Sequence, residues 1–304
     1  MEPAPQISIV IPHLNQPEVL ARCLDSLQRQ RGEVPFEVIV VDNGSVASPE
    51  AVCAAVPGVV LLREQVPGPG PARNRGAQAA RGGVLAFIDA DCTAAPGWIA
   101  SIAGHFALRG AAPIVGGDVR IAPRDPARLT TIEAYESVFG YRMRLYIDRD
   151  NYTASCNMAV RREVFDEVGP FPGIAVAEDR AWGQRAVAGG HRLQYLPGMR
   201  VLTPARESFA ELARKWDRHI AHDHAALAPG RMARIRWGLR AIALAASPAV
   251  DALRIARSDR LTCPRSRAAA LVGLVRIRLY RARRMLALAA GDDAAASGAR
   301  WNRS

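Results

Sequence analysis

Val84-Leu85-Ala86-Phe87-Ile88-Asp89-Ala90-Asp91 is a run of five apolar residues that stops on two aspartates spaced two apart. An unbroken apolar run of that length, with no polar alternation, reads as a strand buried on both faces. Three similar runs precede it: Ile7-Ser8-Ile9-Val10-Ile11, Phe36-Glu37-Val38-Ile39-Val40-Val41-Asp42 and residues 59–62. Helix-like segments separate them, over residues 17–30 with Val19, Leu20, Cys23, Leu24 and Leu27 on one face, from about Pro49, and over residues 71–80. Buried strands alternating with helices predict a Rossmann-like α/β layout, a mostly parallel central sheet flanked by helices. Such sheets bind ligands beyond the carboxyl ends of their strands.

Beyond Pro96 the alternation loosens. Residues 97–109, 129–146 and 178–188 read as helical, and residues 113–122 and 156–160 as extended. From Ser208 the pattern is helical almost throughout, broken at Pro229-Gly230, Ser247-Pro248 and Cys263-Pro264. The expected organisation is a catalytic domain over residues 1–230, with a nucleotide half at 1–95 and an acceptor half at 96–230. A basic helical extension over 231–304 follows it.

The chain has 304 residues, 49% hydrophobic and 23% charged, enough for one large domain or two modest ones. No stretch of 18 residues is free of charge, so no ordinary spanning helix is expected. Met1 to Gln6 carries no basic lead, so a cleaved signal is not expected and a cytoplasmic location is. Five scattered cysteines without a C-x-x-C pair suggest neither a disulfide framework nor structural zinc. The net charge of +11 is uneven. Residues 1–199 hold 19 basic and 21 acidic side chains, and residues 200–304 hold 21 and 8. The basic part alternates Arg276, Arg278, Arg281, Arg283 and Arg284 with leucines and valines, and places Trp237 among Arg231, Arg234, Arg236 and Arg240. Basic helices with apolar faces fit either peripheral contact with an anionic membrane, here through residues 231–290 at the inner face of the cytoplasmic membrane, or a helical subdomain that packs its apolar faces internally. Aromatic residues are too sparse for a nucleic-acid platform, and no nucleic acid is expected.

Asp42 and the Asp89-Ala90-Asp91 triplet stand where buried strands stop, so their carboxylates are expected to converge on one crevice. Asp89 and Asp91, on one face of an extended segment, are a hard-oxygen pair for Mg2+ or Mn2+ against a diphosphate. Residues 68–76 form a glycine-rich turn opening a helix, with Arg73 and Arg75 suited to phosphate. No G-K-[ST] follows, which excludes a Walker A loop. Glu178-Asp179 opens a helix that carries Trp182 and Arg185. The pair is either a helix-start acidic pair or a general base, with Glu178, Trp182 and Arg185 as acceptor-side candidates. His219 and His222 lie one helical turn apart, and His219 is the candidate for touching a donor diphosphate.

Taken in order, these segments resemble the family 2 glycosyltransferases of the GT-A fold. The resemblance runs through Ser8-Ile9-Val10-Ile11-Pro12 with Asn15, Val40-Val41-Asp42-Asn43-Gly44-Ser45 and Ala72-Arg73-Asn74-Arg75-Gly76. It continues in Phe87-Ile88-Asp89-Ala90-Asp91, in Asn157-Met158-Ala159-Val160-Arg161-Arg162 as far as Gly169 and Phe171, and in Glu178-Asp179. It implies a nucleoside-diphosphate sugar donor, a UDP-sugar in the first instance, a divalent cation and inversion at the anomeric carbon. The acceptor would be a cell-envelope glycan or a lipid-linked sugar. By the same resemblance Asp42 contacts base or ribose, Arg73 the nucleotide, Asp89 the ribose or phosphate side, Asp91 the metal, and Pro12 and Asn15 the base pocket. Asp179 is the catalytic base. The chain departs from the family pattern at Ala181, where a further acidic residue is common, and at His13-Leu14, where an aromatic commonly precedes the Asn. The alternatives are a nucleotidyltransferase, for which the loop after Ile11 lacks a basic residue before Arg22, and a non-catalytic nucleic-acid-binding protein.

Overall fold

Strands β1 (Ile7–His13), β2 (Phe36–Asp42), β3 (Val59–Arg63) and β4 (Val84–Ile88) pair in parallel in the order β3-β2-β1-β4. The structure, a computed structural model, describes residues 4–290 apart from 31, 33 and 175 and the side chain of His222. β1, β2 and β4 are buried on both faces save for Pro12, as their unbroken apolar runs require. Helices α1 (Pro17–Gln28), α2 (Glu50–Ala54) and α3 (Pro69–Ala79) make the connections. α3 lies close on the sheet because residue 76 is glycine: a Cβ there would stand 2.3 Å from Val10 Cγ1.

Past β4 the sheet changes direction. β5 (Thr93–Ala94), β6 (Ile114–Ala122), β7 (Asn157–Arg161) and β8 (Leu193–Pro204) extend it in the order β4-β7-β6-β8-β5. The β4–β7, β6–β7 and β5–β8 pairs are antiparallel. Helices α4 (Trp98–Ala107), α5 (Thr131–Phe139), α6 (Met143–Asp150), α7 (Arg162–Val168) and α8 (Glu178–Ala188) intervene. The long helix expected over 129–146 is two helices, because the chain leaves helical geometry between Gly140 and Arg142. β8 escapes sequence reading because Pro197 and Gly198 interrupt it and its burial follows no simple alternation.

Asn157, fully buried at the start of β7, joins the antiparallel strands to α4. Its Oδ1 accepts from Trp98 Nε1 at 2.9 Å, and its Nδ2 donates to the carbonyls of Asp118 and Met199, both at 2.9 Å. The buried amide thereby satisfies its oxygen and both of its N–H groups.

The chain divides into two compact units, residues 1–120 with 142–203, and residues 121–141 with 204–304. The first holds the sheet. The second comprises α5, α9 (Phe209–Ala225), α10 (Arg231–Ala246), α11 (Pro248–Ala256) and α12 (Pro264–Ala290). α5 joins it because Tyr135 and Phe139 bury themselves among Leu212, Leu274 and Ile277. The cut expected near residue 230 therefore falls inside this helical unit, and residues 291–304 of the expected extension lie outside the described residues.

Replacing Asn157 with Leu leaves the Trp98 indole N–H buried without its acceptor and takes one donor from each of the Asp118 and Met199 carbonyls. The expected loss is about 2–4 kcal/mol of stability, read as a lower urea midpoint for the first unit. A midpoint equal to that of the unsubstituted chain would show that Asn157 does not hold these strands together.

Candidate functional site

The parallel register sets His13 directly beside Asp42, at the carboxyl ends of β1 and β2. His13 Nε2 accepts the backbone N–H of Gln16 at 3.2 Å, so in the neutral ring the proton sits on Nδ1 and faces Asp42 Oδ1 at 3.3 Å. Ser45 Oγ donates to the same Asp42 oxygen at 2.5 Å. Asn15 links the two loops: its N–H donates to Ser45 Oγ at 2.9 Å, and its Oδ1 accepts from Val46 N–H at 2.8 Å. It does so at φ +55°, a left-handed conformation that asparagine tolerates. Asn43 fastens the segment leading into α3, accepting from Gly68 N–H at 2.7 Å and donating to the carbonyls of Glu64 and Val66 at 3.1 and 2.8 Å. These contacts use Asp42 Oδ1, which leaves Oδ2 to accept from a ligand's N–H or hydroxyl. Pro12, half-buried on β1, lies at the edge of the same loop pair.

The second cluster centres on Arg73, projected from α3 and only 3% exposed. Its Nη2 donates to Asp89 Oδ1 at 2.6 Å and its Nη1 to Glu178 Oε1 at 3.2 Å. The side chain thus spans the end of β4 and the start of α8. Burial alone would disfavour its charge, but the carboxylates of Asp89, Glu178 and Asp179 outweigh that and hold its pKa above the ordinary value. Its Nε is buried without a partner.

Asp89, Ala90 and Asp91 are not extended. Cys92 N–H closes a turn onto the Asp89 carbonyl at 3.0 Å, so the expected same-face alternation is replaced by a β-turn carrying one carboxylate at its first position and one at its third. Among the described residues no three His, Cys, Asp or Glu side chains form a group able to hold a metal alone. Two carboxylates do suit Mg2+ or Mn2+ when diphosphate oxygens and water complete the shell. The donor set at 89 and 91 fits that arrangement.

Asp179, half-buried in the first turn of α8, accepts the N–H of Arg180 at 2.7 Å. Burial above all, and then the charge of Glu178, push its pKa up to about 6 against the opposing pull of Arg73. The sequence reading missed its aromatic neighbours. Tyr146 of α6 and Tyr152 stack at 5.1 Å, and the charge of Asp179 contributes, after burial, to the upward shift of both phenols. Two tyrosines six apart, across a helix end invisible in the sequence, were the available signal.

Two of the acceptor-side expectations, Trp182 and Arg185, are corrected. Trp182 is 0% exposed, its Nε1 donates to Gly169 O at 2.8 Å, and its ring packs on Phe165 and Phe171 in the core. Arg185 spends its guanidinium on the carbonyls of Val168, Gly169 and Pro170, fixing the segment ahead of α8. Glu178 holds Arg73. His219 lies exposed on α9 in the second unit, its ring 5.5 Å from Trp216. The side chain of His222 lies outside the described residues.

The sequence matches the family model for glycosyl transferase family 2 over residues 8–169. It is 30% identical over 218 residues to the glycosyltransferase AglE of Haloferax volcanii, covering 69% of this chain and 70% of that one. It is also 30% identical over 209 residues to a pre-mycofactocin glycosyltransferase of Mycobacterium tuberculosis, of which it spans 41%. Among solved structures, a mannosyltransferase from Pyrobaculum calidifontis, in complex with GDP-mannose and Mn2+, superposes with a TM-score of 0.59 at 17% identity, over 100% of this chain and 89% of that one. Glucosyl-3-phosphoglycerate synthase from Mycobacterium tuberculosis, in complex with Mn2+, UDP and phosphoglyceric acid, gives 0.52 at 21% identity over 72% of this chain and 77% of that one. At these identities the structural likeness is one of fold.

The raised pKa of Asp179 has a sign in stability. Below its ordinary value of 3.8 the group is neutral whether the chain is folded or not. As pH rises through about 6 it ionises in a place that resists the charge, and stability falls by about 3 kcal/mol at most. Asp179→Asn is therefore expected to stabilise the metal-free protein by about 1–3 kcal/mol at pH 8 and by nothing near pH 4. Thermal melts in chelator at the two pH values check it, and an equal or lower melting temperature at pH 8 would mean that the carboxylate is not strained.

Proposed function

The chain belongs to glycosyl transferase family 2, and from that premise we propose that it moves a sugar from a nucleoside-diphosphate donor, a UDP-sugar, to a hydroxyl by direct displacement with inversion. The observation that carries this reading is the Arg73 bridge. It ties the helix bearing a carboxylate of raised pKa to the strand end bearing Asp89 and Asp91. A displacement needs a base on the acceptor side and anion-binding groups on the donor side at a fixed separation, and one buried guanidinium sets that separation.

In this reading Asp42 Oδ2 accepts from the base or ribose, with His13, Ser45, Asn15 and Pro12 shaping the loop around it. Asp91, assisted by Asp89, would hold Mg2+ or Mn2+, which when bound offsets the charge on the departing diphosphate. Asp179 takes the proton of the acceptor hydroxyl as its oxygen bonds to the anomeric carbon and the bond from that carbon to the diphosphate oxygen breaks. A pKa of about 6 leaves Asp179 ionised at neutral pH and makes it a stronger base than an ordinary carboxylate. Tyr146 and Tyr152 stand near enough for their phenols to feel the charge of Asp179. The acceptor is a hydroxyl of a cell-envelope glycan or a lipid-linked sugar. The nucleotidyltransferase and nucleic-acid-binding alternatives give way to family membership.

Asp179→Asn is expected to keep UDP affinity while kcat falls by roughly 10²–10⁴-fold, since an amide cannot take the proton. In the unsubstituted enzyme kcat/KM should drop about tenfold per pH unit below about 6. Turnover by the folded Asn variant equal to that of the parent would remove Asp179 from the chemistry. Asp91→Ala is expected to abolish the strengthening of UDP binding by Mn2+ in calorimetry, and retention of that strengthening would place the ion elsewhere.

A further inference from the structure

Helix α10 is apolar on two opposite faces. One face, with Trp237, Ala241 and half-buried Leu244, packs inward against α12, and Trp237 Nε1 donates to Met285 O at 2.8 Å. The other carries Met232, Ile235, Leu239 and Ile242, spaced three, four and three apart, and these are 45% to 63% exposed. Next to it, α11 exposes Val250 and Leu253. Eleven of the seventeen exposed large apolar side chains among the described residues lie on α10, α11 and α12. Concentrated exposure of this kind marks an interaction surface, whereas scattered exposure would not.

The charges around the stripe select the partner. At 100° per residue Arg231 borders the stripe on one side and Arg236 on the other, with Arg234 further round. All three are exposed and pair with no carboxylate among the described residues, whereas Arg240 is held by Asp223. Residues 231–290 contain fourteen arginines against two aspartates. A second copy of the chain docked symmetrically on this stripe would bring like arginines face to face. A nucleic acid would satisfy the arginines and leave four large aliphatic side chains in water. A surface that is anionic outside and apolar just beneath satisfies both.

We propose that the α10 stripe, bordered by Arg231 and Arg236, is a membrane-docking surface that seats the protein on anionic phospholipid. The aliphatic side chains enter the acyl boundary while the arginines stay at headgroup level. No described helix is long and apolar enough to cross a membrane, so the contact is peripheral and reversible. This attachment is independent of the donor chemistry.

Co-sedimentation of the full chain with vesicles of phosphatidylcholine plus phosphatidylglycerol, and of phosphatidylcholine alone, tests it without donor or acceptor. Binding is expected only to the anionic vesicles and should weaken in high salt, a comparison that needs no substitution. Combined Arg231→Gln, Arg234→Gln and Arg236→Gln should lower the affinity about five-fold per arginine, roughly a hundred-fold in all. Combined Met232→Ser, Ile235→Ser, Leu239→Ser and Ile242→Ser should abolish pelleting while leaving the melting temperature unchanged, since all four side chains are exposed. Absence of vesicle binding by the parent chain, equal pelleting of the variants, or a dimer in sedimentation velocity that the serine variant dissolves would overturn the proposal, the last in favour of a second copy.

Discussion

A guanidinium buried to 3% exposure among carboxylates is the contact on which the candidate site rests. Arg73 stands on α3, Asp89 at the end of β4, and Glu178 at the start of α8, so one side chain fixes three elements that are distant in sequence. Taking that much charge out of water is costly, and the arrangement persists because the charges compensate each other. Without the arginine, Asp89, Glu178 and Asp179 would face one another unneutralised, a situation that costs about 3–5 kcal/mol when one partner of a buried pair is lost. The close seating of α3 at Gly76 serves the same contact, since a helix held further from β1 could not bring residue 73 to the strand end.

Neutralisation is incomplete, and the remainder falls on Asp179. Arg73 divides its two terminal nitrogens between Asp89 and Glu178 and gives Asp179 only longer-range attraction. Burial and the charge of Glu178 then prevail, and the carboxyl sits near pKa 6. A group whose ionisation opposes folding is what a base requires: its proton affinity is high because its charge is poorly solvated. Stability and basicity are two readings of one electrostatic fact, so a substitution that relieves the first must remove the second.

The parallel half of the fold was legible because burial on both faces leaves its mark in unbroken apolar runs, and β1 to β4 lie within a residue or two of the reading. Of the antiparallel half, residues 113–122 and 156–160 read as extended and form β6 and β7, but β5 and β8 were not legible. β8 contains Pro197 and Gly198, and its order in the sheet depends on Asn157, whose three hydrogen bonds reach residues 39 to 59 positions away. At the site, the acidic residue types and their place at strand ends could be read, but their geometry could not. Residues 89–91 close a turn where an extended segment was expected, and Trp182 and Arg185 turned from ligand-facing candidates into core and loop supports. Helical spacing shows which residues share a face of α8, whereas which face meets the cleft is decided by Phe165, Phe171 and the carbonyls of residues 168–170. Those partners are tertiary.

The helical unit shows the same limit from the other side. Arginines alternating with leucines along α10 to α12 signal amphipathic helices, and the composition reads alike whether the apolar residues face a core or a surface. Only packing separates the cases. Trp237 and Ala241 turn inward, so the stripe at 232, 235, 239 and 242 must turn outward, because residues three to four apart on one side of a helix cannot also occupy the opposite side. A helix that buries one apolar face and still displays another has satisfied its own fold, and its second face is covered by none of the described residues.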